Sequence, residues 1–345
     1  MIDPTTAYRE AAEWQRRFAQ AAGESLGITD ATDGATPREA VWRAGGATLY
    51  HYPPAKVTAT PVLIVYSLVN RPFILDLTEE RSLVRALRDA GHPVYLLDWG
   101  DPAGADRFLE LDDYIGDFLR GAARRVAEIH GAPPDLLGVC QGGVFSLCLA
   151  ALEPSLVRRL ITLVTPVDFH TPADTLGRLA RKMDFDSVAD AFGNVPAAWL
   201  NTVFISLKPY RLLSQRYMDL PELAGDPVAL ADFLRMEHWM YGGPDQAGTA
   251  FAQFAKRFYQ ENALVGDGVE LCGQRVTLTA VQAPVLTIFA LNDHLVPPAA
   301  ARALSRHIPS ERYREHAFDG GHLGVFVSRR ARREIFPELT AWLAD

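Results

Sequence analysis

Cysteine is scarce in this chain. Cys140, Cys148 and Cys272 are the only three, and no two share a CxxC spacing. That argues against a disulfide framework or a cysteine-based zinc site and fits a reducing compartment. Positive charge is also in deficit: 34 Lys and Arg stand against 42 Asp and Glu, a net charge of −8, so the basic signature of nucleic-acid binding is missing. Long apolar runs are missing too. The longest mainly apolar stretch, Leu136 to Leu152, is broken by Gln141, Gly142 and Gly143 and falls short of the ~20 residues a membrane span needs. The opening MIDPTTAYREAAEWQRRF carries acids and no apolar centre, so no signal peptide is expected there. Repeats and low-complexity tracts are absent as well.

Apolar residues are abundant. They make up 48% of the 345 residues, enough for one large core in an elaborated α/β domain. Apolar runs with few polar breaks mark buried strands at Pro61–Val69, Pro93–Gly100, Asp135–Cys140, Leu160–Phe169, Pro284–Asp293 and Tyr313–Phe318, with an earlier strand or hairpin at Trp42–Tyr52. Helical periodicity lies between them, at about 79–90, 111–130, 142–152 and 298–307, with another helix after His322. Such alternation predicts a mostly parallel sheet covered on both faces. The alternation stops over residues 170–280, where helical, aromatic-rich segments such as FLRMEHWMYGG and FAQFAKRFYQENAL occur. The expected organisation is therefore a catalytic core of residues 1–169 and 281–345, with an N-terminal helix at about 5–22. An inserted helical cap or lid would occupy 170–280.

Gly138-Val-Cys140-Gln-Gly142 has the G-x-nucleophile-x-G form of a nucleophile elbow, the sharp strand-to-helix turn of an α/β-hydrolase fold. The turn would aim the Cys140 thiol out of the sheet at a helix N-terminus, where the helix dipole favours thiolate. The backbone N–H of Gln141 would face an oxyanion formed beside Cys140, and a second donor is expected near Val69 or Asn70, in the loop after the Pro61–Val69 strand. Asp293 follows at the end of an apolar strand and His322 in a glycine-flanked loop, giving the order nucleophile, acid, base. His322 would take the thiol proton and Asp293 would orient the imidazole. Cys148 and Cys272 are expected to be small buried hydrophobes. His294, His307 and His316 are expected to be structural, and Trp239 and Tyr241 are expected to serve packing.

The segments SLVNRPFILDL, VYLLDWGDP, LLGVCQGG, LVTPVDF, FLRMEHWMYGGPDQAG, NDHLVPP and GGHLGVFVS together resemble polyhydroxyalkanoate synthases, in the family's order over most of residues 60–330. Without the large N-terminal domain of single-subunit synthases, the chain looks like the short catalytic subunit of the two-subunit, class III type. The resemblance implies polymerisation of (R)-3-hydroxyacyl-CoA, chiefly 3-hydroxybutyryl-CoA, with release of coenzyme A. It implies Cys140 as nucleophile, His322 as base and Asp293 as the carboxylate, which activates the substrate 3-hydroxyl directly or through His322. It also implies a second subunit of the PhaE type (the PhaR type being the alternative), a homodimer or higher complex, and a cytoplasmic location at the polyester granule surface. Coenzyme A enters as part of the substrate; no cofactor and no metal is expected. The residues that would hold it are not legible, although arginines and Lys208 of the insert could meet phosphate. The alternatives are a cysteine-dependent hydrolase resembling dienelactone hydrolase, a thioesterase, or a non-catalytic binding scaffold. The cysteine itself suits a polymerase: a thioester exchanges onto a thiol at little cost in free energy, so the acyl group stays activated for the next transfer.

Overall fold

The computed structural model describes residues 4–26, 34–308, 311 and 313–344. Its contacts divide the chain into two units, one of residues 34–197 with 244–345 and one of residues 1–33 with 198–243. This drawing differs from the expected core and insert. Residues 170–197 and 244–280 cluster with the sheet, while the N-terminal helix clusters with the middle of the insert.

The larger unit is built on an eight-stranded sheet: β1 (Glu39–Ala44), β2 (Ala47–Tyr52), β3 (Val62–Val65), β4 (Val94–Asp98), β5 (Asp135–Val139), β6 (Leu160–Leu163), β7 (Val285–Ala290) and β8 (Arg314–Phe318). The spatial order is β1-β2-β4-β3-β5-β6-β7-β8. β2 runs antiparallel to both β1 and β4, and the remaining pairs are parallel. Every residue of β3, β5, β6 and β7 is buried, as expected of parallel strands with both faces covered. In such a sheet the carboxyl ends of the central strands are where a ligand site forms. β5 lies there, beside β3, and leads directly into the helix Gln141–Leu152. That helix is apolar on all sides, and ten of its twelve residues are buried. Helices of this kind are packed inside the fold. Phe145 on it meets the rings of Trp99 and Phe254 edge-on, each at 5.9 Å.

Two strands are shorter than their apolar runs. β6 ends at Leu163 because Val164 turns to φ 45 and Pro166 follows without a donor. β3 ends at Val65, and the chain leaves the sheet into the Ser67–Asn70 loop. The 170–280 stretch is mostly helical. It also holds two short antiparallel ribbons, Asn194–Val195 with Gln246–Ala247 and Val269–Leu271 with Gln274–Val276. At the opposite end of the sheet, the fully buried carboxylate of Asp135 accepts from Arg158 (2.7 and 2.5 Å) and from Thr60 (2.7 Å).

In the smaller unit the helix Pro4–Ser25 and the helix Pro227–Tyr241 are joined by a cluster of Ala21, Leu220 and Leu230, with Phe18 and Phe233 against it. Trp239 is buried and Tyr241 is not. Among the described residues no helix is long and apolar enough to cross a membrane.

Candidate active site

Cys140 sits between β5 and the following helix with φ 53 and ψ −121, a conformation that costs a non-glycine residue about 1–3 kcal/mol and persists only where the surroundings enforce it. They do so here. The Cys140 N–H donates to the Leu163 carbonyl at 2.9 Å, and its own carbonyl accepts from Gly143 at 3.0 Å. The flanking glycines are steric necessities. A Cβ on Gly142 would run into the carbonyl oxygens of Val65 and Tyr66, and one on Gly138 would lie 2.5 Å from the Gly143 Cα. The helix that starts at Gln141 can therefore press against β3, and the thiol is left at the tip. There Cys140 packs against the apolar cluster of Phe289, Val296, Ala300 and Ala301.

The two downstream residues reach the same place. Asp293 follows the end of β7, and its Oδ1 accepts from the N–H groups of Leu295 (2.9 Å) and Val296 (3.0 Å). Its Oδ2 accepts from His322 Nδ1 at 2.7 Å. The loop after β8 is tied back to β7 by Leu291 N–H on the Phe318 carbonyl and Asn292 N–H on that of Gly320, which sets His322 over Asp293. The His322 side chain is near enough to Cys140 to interact with it. With Nδ1 committed to Asp293, Nε2 is the ring nitrogen left for the thiol. Both Asp293 and His322 are buried. Burial of His322 disfavours its charged form, but the adjacent Asp293 carboxylate and then the Cys140 contact outweigh it and raise the imidazole pKa to about 10. Three residues, successively 153 and 29 positions apart in sequence, are thus brought to one place, with His322 hydrogen-bonded to Asp293 and next to Cys140.

The oxyanion side is more constrained than the sequence suggests. Val69 N–H is spent on Ser67 Oγ at 2.9 Å, and Leu68 N–H on Gln141 Oε1 at 3.0 Å. Neither is therefore open to a substrate in this arrangement. Asn70 comes next, with φ 61, and it lines a small cavity together with Ser67, Leu68, Trp99 and Gln246. The amide nitrogen of the buried Gln246 has no hydrogen-bond partner among the described residues. The Gln141 N–H lies in the first turn of its helix, where backbone donors have no partner within the helix.

Sequence reasoning did not find Tyr259. It lies in the helical segment Ala255–Gln260, packed against Phe169 at 4.8 Å, and its phenol is near enough to Cys140 to interact with it electrostatically. Burial holds that phenol well above its ordinary pKa. Nothing in its spacing distinguishes it from the core aromatics around it. The other cysteines stand apart: Cys148 is fully buried, which pushes its thiol up to about 12, whereas Cys272, expected to be a buried hydrophobe, is only half-buried because it lies in the turn of a short ribbon at φ 50; its thiol is also raised, chiefly by desolvation. Lys208 belongs to the smaller unit. Among the described residues no group of three or more His, Cys, Asp or Glu is placed to hold a metal.

Comparison with known proteins gives this geometry its family. The sequence profile of the α/β-hydrolase fold matches residues 60–328. A poly(3-hydroxyalkanoate) polymerase subunit PhaC of Allochromatium vinosum is 45% identical over 349 aligned positions, covering 100% of this chain and 98% of that protein. The PhaC subunit of Thiocystis violacea is also 45% identical, over 93% of this chain and 92% of its own length. Among solved structures, a thermostable carboxyl esterase from Bacillus coagulans superimposes with a TM-score of 0.59 at 14% identity, covering 90% of this chain and 98% of the esterase, a likeness of fold alone. The chain therefore belongs to the α/β-hydrolase fold family and, within it, to the PhaC subunits of poly(3-hydroxyalkanoate) polymerases.

Proposed function

We propose that this chain is an acyltransferase that polymerises (R)-3-hydroxyacyl-CoA, chiefly 3-hydroxybutyryl-CoA, into polyester and releases coenzyme A. The observation that carries the reading is the contact of Cys140 with a His322–Asp293 pair, on a strained elbow, in a chain that matches polymerase subunits over nearly its whole length. In the loading step the Cys140 sulfur, its proton held by His322, attacks the thioester carbonyl. The tetrahedral oxyanion is met by the Gln141 and Asn70 N–H groups and collapses, and His322 returns the proton to the departing CoA sulfur. In the growth step the 3-hydroxyl of an acyl unit attacks the carbonyl of an enzyme-bound acyl thioester. His322 takes the hydroxyl proton and returns it to the sulfur that leaves.

Asp293 acts through His322 in this scheme. One of its oxygens is committed to two backbone donors and the other to the imidazole, so reaching a substrate hydroxyl directly would require giving one of them up. The apolar contacts of Cys140 with Phe289, Val296 and Ala300 suit a site that must keep water from the acyl thioester. The reading includes a second subunit, of the PhaE type with the PhaR type as the alternative, and a homodimer or higher complex. It places the enzyme in the cytoplasm at the polyester granule surface, with no cofactor beyond the coenzyme A of the substrate.

The test is incubation with (R)-3-hydroxybutyryl-CoA, with and without a second subunit, measuring free CoA and insoluble polyester together. Both should appear, and Cys140→Ala should abolish both. CoA release accompanied only by free 3-hydroxybutyrate would replace the polymerase with a thioesterase.

A further inference from the structure

We propose that Gln141 sets both halves of the oxyanion site: its backbone N–H is one donor, and its side chain, with Ser67, holds the loop that presents the other. The inference rests on the acyl-transfer reading and goes beyond it by assigning Gln141 and Ser67 as positioning residues. The Gln141 amide oxygen has two lone pairs, and both are used. One accepts from the Leu68 N–H at 3.0 Å and the other from the Ser67 hydroxyl at 3.2 Å. Ser67 Oγ in turn accepts from the Val69 N–H at 2.9 Å. Gln141, Ser67 and Leu68 are all buried, so water does not compete for these bonds at full strength.

The consequence is geometric. Residues 67 and 68 are pinned by the Gln141 side chain from across the β3–β5 pair, and residue 69 by Ser67, immediately before Asn70 takes its left-handed conformation at φ 61. The spacing between the Gln141 N–H and the Asn70 N–H is then an internal dimension of a single hydrogen-bonded unit. Catalysis of acyl transfer depends on that spacing, because donors must meet the position the oxyanion will occupy, and an ångström of error forfeits much of the effect.

The test compares the wild-type protein, supplied with its second subunit, with Gln141→Leu, Ser67→Ala and the double variant. Leucine keeps the bulk of glutamine and removes both acceptor pairs. Three readouts are taken: kcat and KM for CoA release from (R)-3-hydroxybutyryl-CoA, the acylation burst of Cys140 with p-nitrophenyl butyrate, and the rate of Cys140 alkylation by iodoacetamide. Alkylation passes through no oxyanion. Gln141→Leu should lower kcat and the burst rate about 10- to 100-fold, with KM and alkylation within about 3-fold of wild type. Ser67→Ala should do the same to a smaller extent, and the double variant should be no worse than Gln141→Leu alone, since Ser67 acts through Gln141. A burst rate unchanged in Gln141→Leu overturns the proposal. So does a rise, which would mean that the amide had been blocking the Leu68 donor. A parallel loss of alkylation also overturns it, because the side chain would then be placing Cys140 and not the loop. If the wild-type protein releases no CoA from the hydroxyacyl thioester while the burst still falls in Gln141→Leu, the polymerase reading fails and the positioning role stands. Should Gln141→Leu not fold, Ser67→Ala alone decides: a normal burst in that variant refutes the relay.

Discussion

Replacing Asp293 with Asn tests the centre of the site without changing its shape. Asp293 Oδ1 must keep accepting from Leu295 and Val296, so the asparagine oxygen will take that side and its NH2 group will face His322 Nδ1. The imidazole can then only accept at Nδ1, which leaves its one proton on Nε2, facing the thiol. The base is lost although every atom has nearly its original position. In the same triad geometry that change costs about 10⁴ in rate. The charge effect can be sized separately. The wild-type imidazole is raised from 6.5 to about 10, with burial opposing and Asp293 driving the shift. Without the carboxylate, burial still opposes the charged form and only the smaller Cys140 contribution favours it, so the His322 pKa should fall well below its wild-type value. The interval from 6.5 to about 10, at about 1.36 kcal/mol per pH unit, caps the stabilisation from protonated His322 at roughly 5 kcal/mol. Because the folded value is the higher one, this stabilisation is fully present below 6.5 and is lost as pH rises through about 10. The gap in unfolding free energy between wild type and Asp293→Asn should therefore be widest near pH 6 and should close toward pH 10. The assays are urea unfolding across that range, ring-carbon NMR of His322 assigned with His322→Gln, and single-turnover acylation by radiolabelled substrate. Acylation and chain growth should fall together. An Asp293→Asn enzyme that loads acyl groups at the wild-type rate but fails to extend them would refute the reasoning and give the carboxylate a direct role on the hydroxyl.

Three other outcomes are expected. Gly142→Ala should cost about 1–3 kcal/mol and most of the acylation rate, since its Cβ meets the backbone carbonyls of Val65 and Tyr66, at and just past the end of β3, which cannot swing aside; thermal melts and burst kinetics would show it. Asp135→Ala should destabilise by about 3 kcal/mol by stranding the Arg158 guanidinium, yet leave kcat nearly unchanged at temperatures where the protein is folded, as this ion pair lies at the far end of the sheet. Brief iodoacetamide treatment of the native protein at pH 7.5, read by peptide mass spectrometry, should modify Cys140 first, Cys272 slowly and Cys148 only after denaturation, given the burial of Cys148 and its thiol raised to about 12.

The parts that could be read from the sequence are those fixed by local pattern. The apolar runs at β3, β4, β5 and β7 have no competing explanation once both sheet faces are covered, and the elbow glycines mark a turn that no larger residue fits. The hairpin of β1 and β2 turns at Gly45 with φ 54, where the sequence shows a Gly-Gly pair. What escaped depends on partners far along the chain. The early end of β6 follows from the backbone of Val164, and apolar composition does not reveal that. The placement of the Pro4–Ser25 helix follows from contacts some 200 residues away, such as Trp14 Nε1 on the Met218 carbonyl at 3.1 Å. The involvement of Val69 N–H with Ser67, and of Leu68 with Gln141, is a matter of side-chain hydrogen bonds across 73 residues. In sequence Gln141 is only the variable position of the elbow.

The adjacency of β6 and β7 has a consequence for synthesis. These strands are direct neighbours in the sheet, yet the chain makes a long excursion from Leu163 to Val285 between them. Cys140 is translated well before its base, and at 5–20 residues per second His322 follows it roughly 10–40 s later. During that interval β5 and its helix can already hold the thiol at the elbow, but the edge that will carry Asp293 and His322 does not exist. A nascent chain stalled anywhere before β8 should therefore carry a nucleophile without a base, unable to load an acyl group. Acylation competence should switch on only as the last edge strand joins β7, after residue 322 clears the ribosomal exit tunnel.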